Sequence, residues 1–305
     1  MRFSRLLAAL LVLALSIPAF AKAEPIRFGV PPWPGVTVKT EVVCQILEAM
    51  GHETTQLEVG PPIIYKGLTT GEVDAYVAAW LPQQTEMFAP LKAAGEIEVV
   101  ATNLDEARTG LAVPVYVFDA GVTSIADLDT HAEKFDHTIY GIEVGAGMQV
   151  STEEMIAKDV AGLGDWEQVS STTPVMLSAV RERVANGQWV VFHGWEPHWM
   201  NIAIDMSFLK SVNGAENLVS QSVIYTVAAP DFAERFPQAH AFLKRFYVTG
   251  DTQSQWIYDF GYDKVDVEDV AHDWIAANMD TVRGWLDGVT AVDGRDAAAA
   301  VEASL

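Results

Sequence analysis

From Ile26 onward the chain alternates short apolar runs with segments whose apolar residues recur at helical spacing. That alternation restricts the fold more than any single residue does. "IRFGV" reads as a strand. "VKTEVVCQILEAMG" sets Val38, Val42, Val43, Ile46, Leu47 and Met50 at helical spacing and closes on Gly51. "TTQLEVG" is a second strand, "PPIIYKGLTTG" a short helix with proline at its start, and "VDAYVAAW" a third strand. A second set begins near "TSIADLD", where Ser124 caps a short helix. It continues through strand "HTIYGIE", helix "STEEMIAKDVAG" opened by a Ser151–Glu154 capping box, helix "TPVMLSAVRERVANG" and strand "QWVVFHGW". Strands alternating with helices predict an α/β fold with mainly parallel strands.

"GLAVPVYVF" joins the first set to the second, and "SQSVIYTVAAP" follows the second before a mostly helical remainder. Two α/β units joined by two extended crossings predict two lobes around a cleft. The first lobe takes residues 24–112 and returns at 222–305, and the second takes 113–221. The alanine-rich tail from Ala297 reads as a frayed end. Ligands of such sheets sit at the carboxyl ends of the strands.

The first residues carry an address. Arg2 and Arg5 precede an apolar run from Leu6 to Ile17, and small residues at Ala19, Ala21 and Ala23 offer cleavage sites. This is a cleaved secretory leader over residues 1–23, too short in its apolar run to span a bilayer. The mature chain is expected to be soluble and exported to the periplasm as a monomer. With one cysteine, Cys44, no intramolecular disulfide is possible, and its neighbours Val42, Val43, Ile46 and Leu47 make it a small core hydrophobe. The formal charge of −22 becomes −25 once Arg2, Arg5 and Lys22 are lost, and such a surface repels nucleic acid and anionic lipid.

Three strands end with the same grammar: "IRFGVPPWPG" at Trp33, "VDAYVAAWLPQ" at Trp80 and "WVVFHGWEPHW" at Trp195, each with a proline one or two residues later. Proline cannot donate to a ladder, so each helps to stop its strand and leaves a tryptophan at the cleft. In the third case Gly194 releases the strand and Pro197 fixes the exit, with His198 and Trp199 in support. One tryptophan at a strand end is ordinary core packing; three from both units point to a ligand wall. The other six tryptophans read as structural. Converging indole faces attract a cation that cannot donate hydrogen bonds, at roughly 0.5–2 kcal/mol per contact. Its methyl groups add burial at about 25 cal/mol per Å². "GIEVGAGM" supplies Glu143 at a strand end, to balance a positive charge or hold a water. Gly145 and Gly147 after it leave backbone amides open to an oxygen. A tight turn with a locally paired Glu143 is the alternative.

Two rival readings have weaker support. His193, Glu196 and His198 suggest a metal or acid–base site, but the spacing is not the helical His-Glu-x-x-His arrangement and no third ligand is evident. A binding protein for carboxylates needs a guanidinium fork, and "PPWPGV", "WLPQQ", "EVGAGM" and "HGWEPHW" contain no Arg or Lys, Arg108 being the one reservation. Neither a Gly-x-Ser-x-Gly elbow before a helix nor a P-loop occurs, so no hydrolase nucleophile, ATPase or cofactor is implied.

"GIEVGAGM", "TPVMLSAV" and "WVVFHGWEPHWMN", in this order, resemble the periplasmic substrate-binding proteins of glycine betaine, choline and related ABC importers. "VAHDWIAANMDTVRGWL" resembles that family's closing segment. The resemblance implies a two-lobed binding fold with two crossovers, an aromatic box around a trimethylammonium group, and delivery to an inner-membrane permease with its ATPase. It places Trp33, Trp80 and Trp195 in the box. The choline branch has an acidic residue where this chain has Gly35, a tyrosine near Thr109, and an asparagine in the loop occupied by Gly145, Ala146 and Gly147. "PPWPGVTVKTEV" and "GIEVGAG" look more like the trimethylamine N-oxide branch. Glycine betaine, trimethylamine N-oxide, choline and carnitine remain open.

Overall fold

The computed structural model describes residues 24–305; the leader read at residues 1–23 lies outside them. The chain begins β1 (Ile26–Val30), α1 (Pro34–Ala49), β2 (Thr54–Glu58), α2 (Pro61–Thr70), β3 (Ala75–Leu81) and α3 (Thr85–Ala94). β1 lies between β2 and β3 and runs parallel to both. α1 starts four residues before the apolar spacing marks it, because Pro34 occupies its first turn, where a missing N–H leaves no bond unmade. Pro34 therefore opens a helix and does not end the strand, which has stopped at Val30 before Pro31 and Pro32. Cys44 is buried in α1, and burial pushes its thiol up to about 12, as suits a core side chain.

β4 (Glu98–Pro114) then carries the chain across to α4 (Val115–Asp119), β5 (Thr138–Gly141), α5 (Gly147–Ala157), β6 (Glu167–Ser170), α6 (Thr173–Ala185), β7 (Val191–Glu196), α7 (Met200–Ala203) and β8 (Met206–Phe208). β5 lies between β6 and β7, parallel to both. Ser124 caps a 3-10 turn through a complete capping box with Asp127. The box expected at Ser151 and Glu154 is not a helix start: α5 begins at Gly147, so Ser151 lies in its second turn.

β9 (Ser220–Ala228) brings the chain back, followed by α8 (Phe232–Arg235), α9 (Pro237–Leu243), α10 (Gly250–Ile257), α11 (Val267–Ala277), α12 (Met279–Trp285) and α13 (Ala297–Glu302). All strands form one sheet in the order β2-β1-β3-β9-β4-β7-β5-β6, with β8 on β4. The strands are parallel within each set, but β4 and β9 pair antiparallel with each other and with β7 and β3. The expectation of mainly parallel strands fails at this join, because the two long crossings pass each other in opposite directions. Three register shifts interrupt the β4–β9 ladder. Such bulges bend and twist a strand, which lets one sheet serve two cores.

One buried cluster draws on residues 26–107 and 224–301, the other on 111–218 together with Ile257. Trp256, Trp274 and Trp285 pack ring to ring in the first, at 4.9 and 5.5 Å between centroids. The tail does not fray: Asp296 caps α13, whose Ala297, Ala300 and Val301 are buried. Among the described residues no helix is long and apolar enough to cross a membrane.

Candidate ligand-binding site

β1, β3 and β7 deliver their tryptophans to one place. Trp33 is the residue that caps α1, and Trp80 and Trp195 are each the penultimate residue of their strands. All three line a cavity of about 610 Å³ when its solvent-open side is counted. Trp33 and Trp80 pack against both buried clusters, whereas Trp195 belongs to the second and is 8 % exposed. Indole surface from both sides of the molecule thus faces a shared space.

Glu143 is not among the wall residues. Its Oε1 accepts the indole N–H of Trp33, and its Oε2 is buried without a partner. Burial raises its carboxyl above the ordinary range despite that bond and one from its own backbone. A carboxylate on an indole N–H pushes negative charge into the ring, and the ring face is what a cation meets. Glu143 therefore reaches the site through Trp33.

Of the two glycine amides expected to be open, that of Gly145 is taken within the loop, while Gly147 lies on the cavity wall. Gly145, at φ +87°, gives its N–H to Gln149 Oε1 at 2.8 Å. Gly147 is a close approach: a β-carbon there would lie 2.1 Å from the backbone oxygen of Gln83. Gln83 is held in turn by Thr109, Ser220 and Ser222 at 2.6, 2.8 and 3.1 Å, so the end of β3 is tied to both crossing strands. At Gly35 a β-carbon would meet Gln253 Nε2 and Ile257 Cδ1, both at 3.0 Å. α10 fills the space that an acidic side chain would need there. Gly194 does not release its strand. It pairs with Gly110 inside the β4–β7 ladder, and its missing side chain admits Ala112, Met206 and Phe208.

The histidines are held locally, although His198 Nε2 is buried without a partner. His193 Nδ1 accepts from the Ile142 amide at 3.2 Å, which leaves Nε2 as the protonated nitrogen facing Thr152 Oγ1 at 2.9 Å. His198 Nδ1 accepts from the Met200 amide, and its ring packs edge-on to Trp195 and beside Trp199. Burial lowers both to about 3. Among the described residues no three His, Cys, Asp or Glu side chains gather as a metal-ligand set. The Arg108 guanidinium lies 4.1 Å from the Phe208 ring centre and is not on the cavity wall.

Six wall residues lie outside the four loop segments that the sequence marks as the cleft, and one of them is charged. Lys39, on α1, lines the cavity and is 1 % exposed. It stands three residues beyond Val36 and four beyond Gly35, both on the same wall, and this helical spacing is the signal that could have revealed it. Its Nζ donates to Asn103 Oδ1 at 2.9 Å, and burial lowers it to about 7.

A single sheet carrying two cores, with a cavity at the strand ends where they meet, is the architecture of the two-lobed periplasmic binding protein fold. The chain belongs to the family described as the substrate binding domain of the ABC-type glycine betaine transport system, which matches residues 24–277. It is similar to the glycine betaine/carnitine transport binding protein GbuC of Listeria monocytogenes, at 33% identity over 191 residues. That match covers 60% of this chain and 61% of the relative. A solved choline binding protein of an ABC transporter, in complex with choline, is 27% identical with a TM-score of 0.87 over 92% of this chain and 97% of that one. A structure described as an ABC-transporter choline binding protein in unliganded, semi-closed form is 28% identical, with a TM-score of 0.82 over 92% and 98%.

Proposed function

We propose that this chain captures a small methylated-amine osmolyte, of the glycine betaine or trimethylamine N-oxide type, and delivers it to an ABC permease without chemical change. The observation that carries this reading is the convergence of Trp33, Trp80 and Trp195 on one cavity. A quaternary or N-oxide ammonium there gains cation–π attraction from three faces and burial of its methyl groups. Glu143 supports Trp33 and adds negative potential.

The lobes divide as 24–112 with 222–305, and 113–221, and the crossings β4 and β9 serve as the hinge. Ligand favours the closed form because that form alone offers tryptophans from both lobes at once. The permease with its ATPase reads the closed surface. The leader at residues 1–23 directs the chain to the periplasm, where it acts as a monomer. Titration calorimetry of the mature protein against glycine betaine, trimethylamine N-oxide, choline and carnitine identifies the ligand. Trp195→Ala costs at least about tenfold in affinity, about 1.4 kcal/mol. Unchanged affinity in that variant removes the aromatic box.

A further inference from the structure

The cavity wall holds sixteen residues, and among these described residues Lys39 is the one with an ionisable side chain. A lysine is almost never fully buried unless it is paired, yet no carboxylate within ion-pair distance of Lys39 occurs among the described residues. Its one hydrogen-bond partner is the neutral amide of Asn103, whose own N–H groups go to the Val77 carbonyl and Thr226 Oγ1. An ammonium has three N–H bonds to place. Among the described residues no neighbouring charge acts on its amine, and burial alone lowers it. His193 and His198 are held neutral by burial, and Tyr76 is held in its neutral phenol form. Glu143 is committed to Trp33.

We propose, resting on the methylated-amine reading above, that Lys39 selects ligand by net charge. The cavity takes methylated ammoniums that carry their own negative oxygen, as a carboxylate or N-oxide, and disfavours those with a net positive charge. Glu143, bonded to the wall residue Trp33, and Lys39, on the wall itself, are an acid and a base that add no net charge when both are ionised or both neutral. A ligand of net zero charge keeps that balance, its ammonium on the indole faces and its oxygen available to the remaining N–H bonds of Lys39. A ligand such as choline leaves one buried positive charge uncompensated, which is costly in a water-poor space. Lys39 thus supplies the cation that the cleft loops lack, without the guanidinium fork of a general carboxylate site.

The test is a calorimetric panel of glycine betaine, trimethylamine N-oxide and choline against the wild type, Lys39→Met, Lys39→Gln and Trp195→Ala. The wild type is expected to bind at least one of the two neutral ligands about tenfold or more tighter than choline. Lys39→Met and Lys39→Gln, which remove the charge without and with retention of a donor, both shrink that preference about tenfold. Trp195→Ala weakens all three ligands together. A wild type that binds choline as tightly as both neutral ligands overturns the proposal without any variant. So does a preference that survives both Lys39 substitutions; if Trp195→Ala still weakens binding in that case, the aromatic box stands and the charge filter falls. Should Trp195→Ala change nothing while Lys39 variants lose the preference, the box fails and the role of Lys39 remains.

Discussion

Gly147 offers the sharpest test of closure. Its missing side chain lets the start of α5 lie against the last turn of chain after β3, and Ala146 and Met148 beside it belong to the second core while Ala78 and Ala79 belong to the first. In Gly147→Ala the added β-carbon would sit 2.1 Å from the Gln83 oxygen and 2.5 Å from its carbonyl carbon. Ordinary contact begins near 3.4 Å, so the two surfaces must separate by about 1.3 Å at this point. Gln83 cannot yield, because its side chain is bonded to Thr109, Ser220 and Ser222. Overpacking of this kind costs about 1–3 kcal/mol, which corresponds to about 5- to 150-fold in affinity. Within an isolated helix the same change would be favourable, since alanine exceeds glycine by about 1 kcal/mol in propensity. The two effects therefore separate: the unliganded melting temperature holds or rises slightly while ligand affinity falls. Calorimetry with the tightest ligand, alongside thermal unfolding with and without it, reads both. Unchanged affinity refutes the contact as a closure stop. A fall in unliganded stability as large as the loss in binding assigns Gly147 to the fold instead.

Two predictions concern stability. His193 and His198 have folded values of about 3 against an ordinary 6.5, so the native state takes up fewer protons than the unfolded chain below 6.5. Their contribution is complete above that pH and is lost as pH falls toward 3, at about 2 kcal/mol each by pH 5. Chemical unfolding at pH 7.5 and 5 should show wild type losing about 2 kcal/mol more than His198→Gln, in which the surface carboxylates titrate alike; equal losses refute it. Lys39, lowered to about 7 from 10.5, has the opposite consequence at neutral pH. Lys39→Met removes a buried base but leaves Asn103 Oδ1 without its donor, and the balance favours the variant by about 2 kcal/mol at pH 7. The gap should close as pH rises toward 10.5, where the unfolded amine also becomes neutral, and a variant less stable than wild type at pH 7 contradicts it.

By itself the sequence determined most of the alternation of strands and helices, though not α3, β6 or β8, the two α/β sets, and the positions of Trp33, Trp80 and Trp195 near strand ends, because periodicity, proline and helix caps act over a few residues. It also marked Glu143 beside the site, yet could not say that its carboxylate would go to an indole N–H from the other set. Only tertiary structure decided that the crossing strands run antiparallel, since ladder direction is a relation between distant segments. The same holds for Gly147 against Gln83, for α10 filling the space at Gly35, and for Lys39 on the cavity wall. These contacts join residues far apart in the chain, and what a side chain costs or contributes there depends on neighbours that local sequence does not name.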